Sequence, residues 1–334
     1  MAGPPPPLPP YVVVFGPDAN CTLDICDIHY SLYRYRPNLA VNALFLALYG
    51  IAGLVHIFLG IRWRSYWFMT FMVLGCLSEI VGYIGRIMLY HNPFAFVPFM
   101  LQIVFITSGP VWYTAAIYVT LSKAILVSER HNRETKALTQ AEHISITHLG
   151  PELARLPPKA LYWVFIALDV SCLVIQAAGG AISTDSKGDS DLGVNLAMGG
   201  LVIQVVVIVV FCAVFADYMI RYTRSSYTRK LMQREKIFFG FLALAVALIL
   251  ARCSYRVDEL SEGYSNSTKV TDEGLFIGLE GVLIVLAVFS LCLGHPGLAF
   301  ENKTERAEDR KESQASVESA MSETTDKGRS RHVS

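Results

Sequence analysis

Residues 79–86, Glu-Ile-Val-Gly-Tyr-Ile-Gly-Arg, place two charged side chains inside an apolar run that extends from about residue 66 to residue 90. A helix needs roughly 20 apolar residues to cross a bilayer. A charge at the middle of such a helix costs about 2.5–3.5 kcal/mol on insertion scales, so Glu79 and Arg86 need partners inside the protein. The stretch therefore predicts a membrane-spanning helix that belongs to a bundle.

The two charges of this stretch lie on one side of the predicted helix. Seven residues are close to two helical turns, so Glu79 and Arg86 face the same way, with Tyr83 between them. Gly82 and Gly85 leave room for the close approach of a second helix. Charges within a membrane are candidates for function, and a purely structural polar clamp is the alternative interpretation.

The composition is that of a membrane protein. Of the 334 residues, 53% are hydrophobic and 17% are charged, whereas soluble domains average about 25% charged residues. The net charge of zero gives no indication of nucleic acid as a partner. The chain contains no phosphate-binding loop of the type Gly-x-x-x-x-Gly-Lys-Ser/Thr, so we do not expect direct use of ATP.

Seven apolar runs predict an all-α, polytopic membrane protein with seven transmembrane helices. The predicted spans are residues 38–61, 66–90, 98–126, 160–183, 193–220, 236–256 and 274–294. Pro110 lies near the middle of the third span, where proline removes a backbone hydrogen bond, and we expect a kink and a hinge there.

Lysine and arginine are concentrated in the loops at 62–65, 127–159 and 221–235 and in the tail at 298–334. The positive-inside rule places these segments in the cytosol and residues 1–37 outside the cell. Few apolar residues remain in the tail, so we expect it to be disordered.

The predicted external segments carry sites for covalent modification. Asn20 and Asn266 each begin an Asn-x-Ser/Thr sequon, which predicts glycosylation. Cys21 and Cys26 are close in sequence, and an external location permits a disulfide between them, although two free thiols are an equal alternative.

Polar side chains recur at similar depths in six of the seven spans, mostly in the outer half of the membrane. Three spans carry polar pairs seven residues apart: Glu79 and Arg86, Asp169 and Gln176, Glu273 and Glu280. The candidate substrate-binding residues of this polar layer are Glu79, Tyr83, Arg86, Gln102, Tyr118, Asp169, Gln176, Gln204, Arg252, Arg256, Glu259 and Glu280. It predicts a polar cavity open to the outer face, with separate structural pairs as the alternative.

The pattern Glu79-x-x-Gly82-Tyr83-x-x-Arg86 resembles the second-helix signature of the fungal RTA1-like proteins, also called the lipid-translocating exporter family. Further pieces follow in the family's order: Gln102, Pro110, Ala115, Ala116 and Tyr118; Asp169, Ser171, Gln176, Gly179 and Gly180; Gly193, Gly199, Gly200, Leu201 and Gln204; Arg252, Arg256, Glu259, Gly263 and Tyr264; and Glu273 with His295, Pro296 and Gly297. The resemblance covers about residues 35–297. The family usually has aspartate where this chain has Glu280.

The resemblance implies a seven-helix fungal protein whose relatives handle sphingoid long-chain bases, toxic amphiphiles or porphyrins. We expect a translocator or exporter of amphiphilic lipids in the plasma membrane, with membrane lipids and an amphiphilic small molecule as partners and with no cofactor. Asp169, Glu79 and Glu280 are the candidates to receive the amine of a sphingoid base. Arginines 86, 252 and 256 would hold these acids in the absence of ligand, or meet a lipid phosphate.

Two other classes of function fit parts of the sequence. Seven helices with an external N-terminus also match a receptor or sensor that regulates lipid asymmetry or a stress response, although Ser128-Glu129-Arg130-His131 stands where many receptors have Asp-Arg-Tyr. An intramembrane zinc hydrolase needs several converging histidines. Only His56 and His295 lie at a matching depth, near the inner ends of the first and seventh spans, so we predict neither a metal site nor an enzyme.

Overall fold

Seven long apolar helices make up most of the chain that the structure, a computed structural model, describes. The described residues are 11–140, 158–185, 191–224, 233–261 and 271–297, and these ranges contain no β-strand. The helices are α1 (Leu39–Arg62), α2 (Tyr66–His91), α3 (Phe96–Gln140), α4 (Pro158–Asp185), α5 (Asp191–Arg224), α6 (Gln233–Ser261) and α7 (Glu273–Leu293). The prediction of an all-α, seven-span, multi-pass membrane protein is confirmed.

α3 and α6 extend well beyond their predicted ends, and α7 is irregular near its start. α3 has 45 residues and extends to Gln140, into the segment predicted as a loop. α6 continues to Ser261, so Arg256 and Glu259, predicted to lie just beyond the span, are on the helix and buried. The predicted ends followed the loss of apolar character, whereas charged residues such as Glu, Lys and Arg favour helix and can extend it. α7 contains a π-helical segment, Phe276–Val282, which the sequence did not predict.

α2 packs closely along α3 through its glycines. A Cβ atom on Gly85 would lie 2.8 Å from the carbonyl oxygen of Pro98, and one on Gly82 would collide with Ile106. Real Cβ atoms do not approach a neighbour so closely, so only glycine permits this spacing of the two helices. The prediction that Gly82 and Gly85 admit a neighbouring helix is confirmed.

Residues 11–37 lie against one end of the bundle, which we call the N-terminal face. Phe15 packs edge-on against Phe99, and Arg36 stacks over the ring of Tyr90 at 3.8 Å. The structure joins Cys21 and Cys26 as a disulfide, with Cα atoms 5.9 Å apart. The opposite end of the bundle is the C-terminal face, where α7 ends at Leu293, one residue before the end of its predicted span.

Some of the predicted features lie outside the residues that the structure describes. Asn266, the central part of the loop at 127–159 and the tail at 298–334 lie outside the described residues. Asn20 is exposed, and its side-chain amide donates to the carbonyl of Tyr11 and accepts from the backbone N–H of Val13.

Candidate functional site

The centre of the polar layer is an ion network between α6 and α7. Arg252 Nη2 lies 3.3 Å from Glu280 Oε1, and Arg256 Nη1 lies 3.7 Å from the same oxygen. Arg256 also donates to Glu259 Oε2 at 2.6 Å. All four residues are buried. Because a buried charge without a partner is strongly unfavourable, each of these four side chains depends on the others.

Glu280 reaches this network from the π-helical segment of α7. A π turn closes i to i+5 hydrogen bonds and is wider than an α turn, and such turns are frequent at functional sites. Glu273 and Glu280 therefore do not follow the α-helical stripe that their seven-residue spacing predicts. Glu273 lies near Arg86 at the N-terminal face, whereas Glu280 pairs with the arginines of α6.

Arg252 also binds α3 at the proline. Its Nη2 atom donates to the carbonyl oxygen of Ile106 at 3.0 Å. Ile106 precedes Pro110 by four residues, and proline has no N–H to offer this carbonyl within the helix. Arg252 thus supplies the hydrogen bond that Pro110 removes, and α3, α6 and α7 meet at one side chain. α3 remains helical on both sides of Pro110.

Arg86 forms a second group at the N-terminal face. Its Nη2 atom donates to the Tyr35 hydroxyl at 2.8 Å and lies 3.9 Å from Glu273, while its guanidinium lies over the ring of Phe276 at 3.5 Å. Glu79 and Arg86 are both buried, as their shared stripe predicts, but they form no ion pair with each other. The seven-residue spacing places the two side chains on one face of α2, but each side chain contacts different residues of the neighbouring segments.

Tyr33 and Tyr35 reach from the N-terminal segment into the bundle. The Tyr33 hydroxyl accepts a hydrogen bond from Gln102 Nε2 at 2.9 Å, and the Tyr33 side chain is buried. Burial raises the pKa of both tyrosines, although the nearby Arg86 guanidinium acts to lower it. Both phenols are therefore neutral partners at physiological pH.

Glu79 is fully buried and lies against α3 at Gly109. A Cβ atom on Gly109 would collide with the Glu79 carboxylate, so glycine here makes room for the acid beside Pro110. Glu79 Oε1 has no hydrogen-bond partner, and no ion pair to Glu79 occurs within the described ranges.

Asp169 on α4 is a second acid without a basic partner in the described part of the chain. Its Oδ2 atom accepts hydrogen bonds from Thr114 Oγ1 at 3.1 Å and from the Tyr118 hydroxyl at 3.0 Å, both on α3. Oδ1 is buried and has no hydrogen-bond partner. The ring of Tyr118 contacts Phe165 and Phe211, with centroids 5.3 and 4.5 Å apart.

The remaining predicted residues contribute neutral groups. Gln176 Nε2 donates to Gln204 Oε1 at 2.9 Å, which joins α4 to α5. Tyr83 stacks on Tyr49 with centroids 5.7 Å apart, and its hydroxyl has no hydrogen-bond partner.

The charged side chains of the layer differ from the predicted open cavity. Glu79, Arg86, Asp169 and Arg252 are at most 1% exposed. Arg86, Asp169 and Arg252 reach an opposite charge or a hydroxyl group, and the helices close around all four side chains. The structure therefore has the polar layer in a closed arrangement.

The model of the family described as RTA1 like protein matches residues 72–303, which is more than half of the chain. The chain belongs to the RTA1-like family. This confirms the resemblance stated above, and homologues in Saccharomyces and Emericella agree with the fungal origin that it implied.

Three curated relatives of this RTA1-like protein are named after lipids or porphyrins. The sphingoid long-chain base transporter RSB1 of Saccharomyces cerevisiae is 26% identical over 305 residues, which cover 80% of this chain and 74% of the relative. The probable lipid transporter atnI of Emericella nidulans is 21% identical over a region that covers 87% of this chain and 72% of the relative. Protoporphyrin uptake protein 1 of Saccharomyces cerevisiae is 27% identical over 66% of each chain. No solved structure matches.

His56 and His295 of this RTA1-like protein lie beside side chains at the C-terminal face. His56 Nε2 lies 3.2 Å from Cys292 Sγ, and His295 Nε2 lies 3.2 Å from Ser65 Oγ. Burial, together with nearby His56, lowers the pKa of His295 to about 3, so its ring is neutral. The described residues contain no group of three His, Cys, Asp or Glu side chains that could hold a metal.

Sequence reasoning missed several groups of the RTA1-like site. Thr114 lies four residues before Tyr118, and this spacing puts both hydroxyls on one face of α3. The Ile106 carbonyl could have been found by counting four residues back from Pro110. Gly109 and the role of Tyr35 carried no distinct signal in the sequence.

Proposed function

We propose that this protein translocates amphiphilic lipids with an amine in the headgroup, sphingoid long-chain bases foremost, without direct use of ATP. The proposal is of a transporter and not of an enzyme. It draws on the names of the relatives, which include a sphingoid long-chain base transporter and a probable lipid transporter. It draws equally on the chemistry of the buried acids.

The observation that carries the proposal is the difference between two classes of buried acid. Glu259 and Glu280 are neutralised by arginines of α6. Asp169 and Glu79 have no such partner in the parts of the chain that the structure describes. Each also has a buried oxygen without a hydrogen bond, as Glu280 does, so the missing basic partner is what sets these two acids apart. A primary ammonium carries one positive charge and three N–H donors, which are the groups these two carboxylates need.

The surroundings of Asp169 suit an amine. An ammonium group at the face of an aromatic ring gains up to about 2 kcal/mol when it is desolvated. Tyr118, Phe165 and Phe211 are in mutual contact next to the carboxylate. Asp169 is therefore the proposed receptor of the amine, with Glu79 as a second acid on the path and Pro110 as the flexing point of α3.

The membrane orientation is part of this proposal. The positive-inside distribution supports an external N-terminal face and a cytosolic tail. The family and the two external sequons favour the plasma membrane. Glycosylation at Asn20 and Asn266 and the oxidised state of Cys21 and Cys26 are proposed with it.

The test measures transbilayer movement of a fluorescent sphingoid base in liposomes that contain the purified protein without ATP. We expect movement with the wild type and little with Asp169→Asn, whose amide keeps the shape but not the charge. Ser171→Ala is the matched control, since Ser171 is exposed two residues further along α4. Wild-type rates in folded Asp169→Asn would exclude Asp169 as the amine receptor. No movement with folded wild type would favour the alternative function, a receptor or sensor that acts on other transporters.

A further inference from the structure

Tyr33 and Tyr35 enter the N-terminal face of the bundle from the segment that covers it. Arg34 between them has a φ of 57°, in the left-handed region that few non-glycine residues adopt. Arg36 holds the segment on α2, because its Nε atom donates to the carbonyl of Tyr90 at 2.7 Å. Asn38 closes the segment with a backbone N–H donated to Glu273 Oε1 at 2.6 Å.

Each tyrosine hydroxyl accepts a hydrogen bond from one buried side chain of the bundle. Tyr35 takes Nη2 of Arg86, and Tyr33 takes Nε2 of Gln102. Both of these donors belong to buried side chains of the polar layer. Arg86 Nε and Nη1 and Gln102 Oε1 are buried as well and have no hydrogen-bond partner. The tyrosines thus satisfy only part of the hydrogen-bonding capacity at this end of the bundle.

We propose that Arg86 and Gln102 form a second headgroup site, which binds oxygen acceptors of an amphiphile, and that the hydroxyls of Tyr33 and Tyr35 fill this site while the N-terminal segment is closed. The proposal rests on the proposed function and deepens it, since it adds a site for the hydroxyl or phosphate oxygens of the transported lipid. Residues 11–37 then act as a lid over that site.

The charges of the site select oxygen over an amine. Arg86 offers N–H donors and a fixed positive charge that repels an ammonium, whereas hydroxyl and phosphate oxygens accept such hydrogen bonds. Glu273, 3.9 Å from Arg86, stays compatible with a neutral hydroxyl but repels a phosphate. Sphingoid bases carry hydroxyl groups beside the amine. The N-terminal end of the polar layer and the deeper acids Glu79 and Asp169 would therefore take different parts of one headgroup.

The lid is not tightly packed along its whole length. A small cavity of about 60 Å³ lies between the segment and the connection from α2 to α3. Its lining includes Phe15, Tyr30, Leu32, Phe94 and Phe99. Leu89, by contrast, is fully buried and packs with Tyr33 and Phe99. Leu89 becomes accessible only when Tyr33 moves away, so it reports the opening of the lid.

The experiment measures the labelling rate of Leu89→Cys by a hydrophilic maleimide in the detergent-solubilised full chain. The protein without the added cysteine gives the background from native thiols. His91→Cys, exposed two residues further on, is the matched control that labels whatever the lid does. Tyr35→Phe keeps the ring and removes the hydroxyl, and we expect it to raise labelling of Leu89→Cys several-fold.

Three probe lipids test the chemistry of the site. Sphinganine carries hydroxyls, sphinganine phosphate carries a phosphate, and octadecylamine carries the amine alone. We expect sphinganine, sphinganine phosphate or both to raise labelling of Leu89→Cys several-fold, and the more effective of the two identifies the oxygen source. Octadecylamine should have no effect, and Arg86→Gln should abolish the response.

The outcomes separate this proposal from the proposed function. Equal labelling with all three lipids, or a response that persists in Arg86→Gln, would overturn the oxygen site. Labelling needs no transport, so the response should remain in Asp169→Asn. A wild type that responds to sphinganine but moves no lipid would contradict the transporter and leave this site standing.

Discussion

Arg252 donates a hydrogen bond to the carbonyl oxygen of Ile106, 3.0 Å away on another helix. This carbonyl is available because Pro110 cannot bond to it. The same guanidinium lies 3.3 Å from Glu280, in the π-helical segment of α7. One side chain thus connects the proline of α3 with the irregular turn of α7, and both interruptions of regular helix lie within the polar layer.

Pro110→Ala should make α3 more regular and impair transport. Alanine provides the N–H that the Ile106 carbonyl lacks, and proline within a helix is unfavourable by about 3 kcal/mol or more. We expect a higher unfolding temperature in detergent and slower lipid movement in liposomes. Pro98→Ala is the control, because Pro98 lies in the first turn of α3, where its missing N–H has no helical partner. Normal transport by Pro110→Ala would rule out the proline as a flexing point.

Arg252→Gln should destabilise the protein strongly, because it leaves Glu280 with Arg256 alone at 3.7 Å. Removal of one partner from a buried ion pair typically costs about 3–5 kcal/mol. The double variant with Glu280→Gln should recover a large part of this loss, as measured by denaturant unfolding in detergent micelles. If the two single changes are simply additive, Arg252 and Glu280 do not interact energetically.

Gly109→Ala should displace the Glu79 carboxylate, against which the new methyl group would collide. Overpacking of this kind costs about 1–3 kcal/mol. Gly240→Ala on α6 is the control, since a Cβ there meets nothing within 4 Å. At Gly240 we expect alanine to raise the free energy of unfolding by about 0.5–1 kcal/mol, because glycine within a helix is less favourable than alanine. Thermal unfolding of both variants, with opposite signs of change, is the measurement, and a gain at both positions would contradict the close contact of Gly109 with Glu79.

His295 should make the protein less stable in acid. Its pKa is lowered to about 3 in the folded state, against about 6.5 for an unperturbed histidine. The unfolded chain therefore binds a proton that the folded chain does not, and the free energy of unfolding decreases as the pH falls from about 6.5 toward 3. The unfolding temperature at pH 7.5 and pH 5 should differ less in His295→Gln than in wild type. His29→Gln, at an exposed position, should retain the wild-type difference.

The sequence predicted the seven spans and the buried polar residues for one physical reason. Lipid excludes charge, so a charge inside an apolar run must face other helices. Glu79, Arg86 and Arg252 are buried accordingly. The family also followed from the order of these residues along the chain.

The partners of these charges could not be read from the spacing of residues. A seven-residue interval gives a common face but not the rotation or depth of the neighbouring helices, so Arg86 was expected near Glu79 and instead meets Tyr35. The π-helical segment shifts Glu280 relative to Glu273, and no residue pattern in 276–282 predicted this segment. The return of residues 11–37 onto the bundle depends on long-range contacts that local sequence does not encode.

α3 continues to Gln140, well beyond the end of its apolar span at Ala124. The 30 residues from Pro110 to Gln140 amount to about 45 Å of helix. A tilt of about 10° at Pro110 would swing the far end by about 8 Å over such a length. A small rearrangement around Arg252 and Pro110 would thereby become a displacement of several ångströms at the C-terminal face.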